Sequence, residues 1–316
     1  MAFISGYSNL AVKNNAGAGT GATFNITISG TAIATAPMSA GGSGYIVGDQ
    51  LRVTGGNNDA ILTVATVTGT AVASVTITAS GSGYSTGVVA TSSIYTPYKV
   101  DMTADWIVVE DGSGNTLRVP MTTTVTMDKS STTQTSTLPN YRDQAATFPV
   151  STWIYIWAIY NPAANTIAGL LSLSPNAPTL PSGYTHAALA GAVYNDSSGN
   201  FITFRQTNNL VWCGFSAALR PISYQSATVF TAFSVPVPEK ATSVLYGFTI
   251  TSASTTADGF FLGIETNIFT AIGGGLDISK SLHTPVEVPV NASRQHYYKL
   301  NGSTGALTLD VIGWRF

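Results

Sequence analysis

An internal duplication near the N-terminus constrains the fold more than any other feature of the chain. Gly30-Thr31-Ala32-Ile33-Ala34 recurs as Gly69-Thr70-Ala71-Val72-Ala73. Gly42-Ser43-Gly44-Tyr45-Ile46-Val47-Gly48 recurs, without a gap, as Gly81-Ser82-Gly83-Tyr84-Ser85-Thr86-Gly87. The period is 39 residues, and ten of the nineteen positions from 30 to 48 are identical one period later. Each copy alternates Thr or Ser with Ile, Val or Ala, as in Phe24-Asn25-Ile26-Thr27-Ile28 and Val75-Thr76-Ile77-Thr78. That period of two is the mark of a half-buried strand. The Gly-Ser-Gly-Tyr segments supply residues that reach positive φ, followed by an aromatic to cover the turn. Two copies are too few for a free-standing solenoid, so residues 1–95 are expected to form a small β-domain of paired strand units.

The rest of the chain repeats the strand signal without the duplication. Trp106-Ile107-Val108-Val109-Glu110, a Gly-rich turn and Thr116-Leu117-Arg118-Val119 predict a hairpin. Strands are expected at 187–194, 201–206 and 210–215, and again at 229–235, 244–251, 260–265, 286–290, 297–300 and 306–314. Asn301-Gly302-Ser303-Thr304-Gly305 predicts a terminal hairpin. Residues 120–140, rich in Thr and Ser, read as an exposed strand pair or a long loop. No stretch shows a capped 3.6-residue period, so the expected class is all-β. The small repeat domain at 1–95 is followed by β-sandwich or jelly-roll-like domains at 96–221 and 222–316.

Charge excludes several functions. Lys and Arg number 13 and Asp and Glu 15, or 9% of the chain, against roughly 25% in an ordinary soluble protein. The basic residues are scattered singly, which argues against a nucleic-acid partner. The longest apolar run, Trp153 to Tyr160, is far short of the ~18 residues of a membrane helix, so no membrane insertion is expected. No basic leader precedes Lys13, and synthesis in a cytoplasm without general secretion is expected. Cys213 has no partner for a disulfide and sits among apolar neighbours, which suits an inert core thiol.

Catalytic patterns are weak. Glu110 and Asp111 are adjacent on a strand and point to opposite faces, whereas Asp101 and Asp105 could share one. His186, His283 and His296 have no metal-site spacing; single histidines could hold an ion only by meeting around an oligomer axis. Ser82 and Ser182 are not in a nucleophile-elbow motif, and Gly273-Gly274-Gly275 lacks the lysine of a phosphate loop. No enzyme activity, cofactor or metal is expected. Tyr45 and Tyr84, each on a Gly-rich loop, could stack on sugar rings or cap the core of their repeats. Tyr194, Tyr297 and Tyr298, in aromatic and Asn-rich surroundings, are further candidates for glycan contact.

Three stretches resemble proteins of tailed-bacteriophage particles. Gly42 to Gly56, repeated in part at Gly81–Gly87, is similar to repeats in phage tail and fibre proteins. Trp157-Ala158-Ile159-Tyr160-Asn161-Pro162, followed by Pro178 to Thr185 and Ala190-Gly191-Ala192-Val193, resembles the β-rich heads of phage fibre and virion-surface proteins. Leu309 to Phe316 looks like the closing strand of a fibre tip. The resemblance implies a structural virion component, assembled in the host bacterial cytoplasm as a trimeric fibre or a tail- or baseplate-associated protein. A charge-poor, aromatic-rich chain suits such a homotrimer, because obligate interfaces are depleted of charge. Alternatives are a capsid decoration protein or a receptor-recognition module binding host surface polysaccharide at a fibre tip. Residues 1–95 are expected to anchor the chain to other virion proteins, with the remainder projecting outward.

Overall fold

The computed structural model describes residues 6–14, 19–130, 139–214, 216–252, 258–265, 269–276, 280–300 and 305–316. The chain is all-β: among the described residues, the sole helical element is a 3-10 turn at Ala217–Leu219. It divides into two compact units, one of residues 13–101 with 126–130, the other of residues 1–12, 102–125 and 131–316.

The first unit is built by the duplication. Its antiparallel strands run in the spatial order Ala32–Thr35, Thr20–Ser29, Gly87–Tyr95, Gln50–Val53, Ile61–Thr68 and Ala71–Ala79, and Met38–Ser43 also pairs with Thr20–Ser29. The two ends of this sheet meet, because the Ile33 N–H donates to Ser80 O at 2.9 Å. Alternation does what the sequence predicts. Ala22, Phe24 and Ile26 point inward from one copy, and Ala60, Leu62 and Val64 from the other, with Leu51 and Val53 between them. These inward positions are 38 residues apart, whereas the hairpin turns that follow are 39 apart. The pairing slips at Thr66, where a bulge takes up the extra residue.

In the second unit, three antiparallel sheets share the core. The first runs Tyr7–Ser8, Trp106–Asp111, His186–Asn195, Thr152–Asn161, Thr166–Ser172, with Thr116–Pro120 on the free side of Trp106–Asp111. The predicted hairpin at 106–119 is therefore present. Asp111 closes its turn by accepting from the N–H groups of Ser113 and Asn115 at 2.8 and 2.9 Å. Thr152–Asn161 and His186–Asn195 are buried on both faces, which explains their near-continuous apolar sequence. The outer edge at Thr166–Ser172 is covered by residues 140–143. Asn140 N–H donates to Gly169 O at 2.7 Å, Leu171 N–H to Tyr141 O at 2.7 Å, and Asp143 N–H to Leu171 O at 2.8 Å. Residues 131–138 of the Thr/Ser-rich stretch lie outside the described residues.

The second sheet includes, in order, Phe204–Thr207, Leu210–Cys213, Gly305–Arg315, Ser243–Ser252 and Lys280–Pro289, with Ile222–Gln225 also on Gly305–Arg315. It packs on the first sheet through Trp314 edge-on to Trp153, centroids 5.1 Å apart, and through Gln206 Nε2 donating to Ala190 O at 2.7 Å. The third sheet runs Thr231–Ser234, Gln295–Leu300, Asp258–Gly263, Phe269–Leu276 and meets the second at Phe248 and Phe260, 4.8 Å apart.

The terminal hairpin is absent from these pairings, which corrects the sequence reading. Gln295–Leu300 pairs with Thr231–Ser234 and Asp258–Gly263, while Gly305–Arg315 belongs to the second sheet. Gly305–Arg315 zips along the whole of Ser243–Ser252 within the second sheet, and not along Gln295–Leu300 of the third. Strands on both sides of residue 221 also share that sheet, since Leu210–Cys213 pairs with Gly305–Arg315.

Candidate functional site

The Gly-Ser-Gly-Tyr segments form a reciprocal clasp. Gly42 and Gly81 have φ of 62° and 61°, and Gly44 and Gly83 have φ of 80° and 75°. A Cβ on Gly42 would come within 2.2 Å of Thr20 O, and one on Gly81 within 2.5 Å of Asp59 Oδ1. Glycine is thus required twice over at each turn. Each turn delivers its tyrosine to the opposite copy: Tyr45 N–H donates to Thr70 O at 2.9 Å, and Tyr84 N–H to Thr31 O at 3.0 Å. The acceptors are themselves equivalent residues of the two repeats. The phenols then turn inward. Tyr45 Oη accepts from Ala22 N–H at 3.2 Å; Tyr84 Oη accepts from Ala60 N–H at 3.1 Å and donates to Val53 O at 3.3 Å. Both rings are buried in the core of the unit and offer no face to a sugar.

Outside the clasp, the symmetry shows again in hydroxyl pairs. Thr27 and Thr35 meet at 2.7 Å, and their counterparts Thr66 and Ser74 at 2.6 Å. An open groove of about 620 Å³, lined by Thr35 to Met38 and Ala73 to Val75, runs between the two copies. Carboxylates brace the surrounding turns. Ser82, through its N–H and hydroxyl, holds the Asp59 carboxyl below its ordinary range. Asp49 is buried, which pushes its carboxyl up, and it accepts from Thr96 Oγ1 at 2.7 Å and Ile46 N–H at 3.0 Å.

The remaining candidate tyrosines separate by burial. Tyr194 is half-buried, edge-on to Trp153 at 5.2 Å. Tyr297 is half-buried, and Tyr298 is enclosed beside Phe233 at 6.1 Å. No family model and no curated protein matches the chain.

Groups that invited a catalytic reading make contacts within the fold. Asp105 accepts from Ser8 Oγ at 2.8 Å and Asn9 Nδ2 at 2.7 Å, and Asp101 from Thr126 Oγ1 at 2.7 Å. Burial pushes the Cys213 thiol up to about 12, far from a thiolate at neutral pH. His186 is buried, its Nδ1 2.9 Å from Thr185 Oγ1. His296 is enclosed completely. Its Nε2 lies 2.9 Å from Pro289 O and its Nδ1 3.1 Å from Tyr246 Oη. A carbonyl can only accept, so Nε2 carries the proton and Nδ1 accepts from the tyrosine. Burial lowers the pKa of this ring to about 4. With both nitrogens engaged, His296 has none to offer a metal at an oligomer axis. The side chain of His283 lies outside the described residues.

Among the described residues, the aromatics most open to solvent are two that the sequence did not single out, Tyr224 at 67% and Trp212 at 42% exposure. Trp212 stands out because its strand neighbour Val211 takes the inward position.

Proposed function

We propose that the chain is a structural component of a bacteriophage particle, assembling with copies of itself as a trimeric fibre or a tail- or baseplate-associated protein. One observation carries this reading: polar and ionisable side chains bind the chain's own turns and edges. Asp49, Asp59, Asp111, Asp143 and His296 each close a loop or join two strands. The chemistry of the side chains is directed at holding shape, and many outward strand positions of the duplicated unit, such as Thr27, Thr66, Ser74, Thr76 and Thr78, are uncharged. Such surfaces pack against neighbours with little charge to desolvate. In this reading the protein is not an enzyme, and residues 1–95 dock on other virion proteins.

A second reading, recognition of host polysaccharide at a fibre tip, draws on the exposed indole of Trp212. Light scattering coupled to size-exclusion, with labelled-protein imaging of particles, tests the first reading. A multiple of the chain mass and a fixed position on the particle are expected. A monomer absent from particles refutes it, and saturable binding to host polysaccharide by that monomer supports the second.

A further inference from the structure

The enclosed imidazole of His296 is covered on one side by a short strand. Thr231–Ser234 is an edge of the third sheet, and its Phe233 is the cross-strand partner of His296. The Phe233 ring stands edge-on to His296 at 5.9 Å, and to Tyr246 and Tyr298 at 6.1 Å each. Phe233 is half-buried, whereas Thr231, Ala232 and Ser234 are exposed. Behind this strand, Gln295–Leu300 is paired on its other side with Asp258–Gly263 and keeps that ladder if the edge strand leaves. A short strand with most of its residues in solvent opens at less cost than a core strand.

The titratable groups that face His296 are the phenols of Tyr246 and Tyr298, which burial pushes up, so both stay neutral. Charged side chains on the surrounding elements are engaged elsewhere. Glu287 accepts from Ser243 Oγ and Arg315 Nε, and Arg294 donates to the carbonyls of Val237, Pro238 and Glu239. Lys299 is on the opposite pleat from His296 and lies over Phe230. Glu239 pairs with Lys240, Asp310 pairs with Arg220, and Glu265 is exposed. The side chains of Asp258, Lys280 and His283 lie outside the described residues.

We propose that Thr231–Ser234 is an acid-released flap, with His296 as the group that takes up the proton. A proton on Nδ1 removes the acceptor that the Tyr246 hydroxyl uses and sets an uncompensated charge against aromatic rings. Lifting the flap lets water reach the imidazolium while the first and second sheets stay folded. It also bares the backbone edge of Gln295–Leu300, the kind of surface on which a further strand pairs. Burial holds the closed ring at about 4, and a hydrated ring titrates near 6.5, so opening is favoured as pH falls through that window. The open population gains about tenfold per pH unit, or about thirtyfold by pH 5.

Hydrogen exchange of the full chain tests this, read by mass spectrometry from pH 7.5 to pH 5 and corrected for the intrinsic effect of pH on amides. Amides of 231–234 and of their ladder partners are expected to open about thirtyfold more often at pH 5 than at pH 7.5. Those of 154–159 in the first sheet keep their protection, and His296→Gln loses the flap's response to acid. An equal loss of protection in both regions is global unfolding and overturns the flap, as does an unchanged response in His296→Gln. Should that variant fail to fold, the wild type decides. A response that sets in near pH 6.5 supports the imidazole, and one that starts only below pH 5, where carboxylates titrate, overturns it.

Discussion

Acid should destabilise this protein through one imidazole. His296 is fully buried and neutral, donating from Nε2 to Pro289 O and accepting at Nδ1 from Tyr246 Oη. Protonation in place would remove the acceptor at Nδ1 that the tyrosine hydroxyl uses and put a charge beside Phe233 and Tyr246. The folded ring therefore resists the proton until about pH 4, while in the unfolded chain it titrates near 6.5. The sign follows from which state binds the proton first. Above pH 6.5 neither state is protonated and stability is at its full value. Between 6.5 and about 4 the unfolded state alone takes up the proton, so stability falls as pH falls; below about 4 it levels off. At about 1.4 kcal/mol per pH unit, that window corresponds to about 3 kcal/mol, most of it lost by about pH 4.5. Urea unfolding followed by tryptophan fluorescence, at several pH values between 8 and 4, would measure it in the wild type and in His296→Gln. The glutamine variant is less stable at pH 8 but should lack this part of the acid slope. Equal slopes in the two proteins would refute the reasoning, as would an NMR titration of the folded imidazole centred near 6.5.

Three further outcomes are expected. Tyr84→Phe removes the acceptor of the buried Ala60 N–H and should cost about 1–3 kcal/mol in urea unfolding, the range for orphaning a buried polar group. Gly81→Ala forces a Cβ against Asp59, Ala60 and Tyr84 at positive φ, whereas at Gly30, also at positive φ, a Cβ meets nothing within 4 Å. Gly30→Ala should cost about 1–2 kcal/mol from backbone strain alone, and Gly81→Ala clearly more in parallel melts. Cys213, its thiol pushed up to about 12, should resist iodoacetamide at pH 8 in the folded protein and react once urea unfolds it, as mass spectrometry would show.

The sequence disclosed what strands and turns encode locally. The clasp glycines were visible because only glycine suits those turns, and an identical spacing repeated them. The apolar run at 153–160 and the strand at 187–194 were legible in the sequence, but their places in the middle of a sheet, beside each other, were not. Sheet membership was less accessible. The Asn301–Gly305 segment has the chemistry of a tight turn, but turn chemistry does not say which neighbours the next strand will find, and Gly305–Arg315 found Ser243–Ser252. Tyrosine burial was equally hidden in composition: Tyr297 and Tyr298 are adjacent, and the strand pleat alone turns Tyr298 inward. Tyr224 gave no signal, since a pairing slip and a positive φ at a bulky residue follow from the surrounding sheets and not from its neighbours in sequence.

The reciprocal clasp has a consequence for how the duplicated segment can change over generations. Because Tyr45 is held by Thr70 and Tyr84 by Thr31, neither copy is a spare that can drift while the other keeps the fold. A substitution that reshapes one Gly-Thr turn is felt at the tyrosine of the other copy. Recombination between the repeats that deletes one of them would take out one tyrosine and the other tyrosine's anchor in a single event. Duplication ordinarily frees one copy to diverge; here the two are bound to vary together.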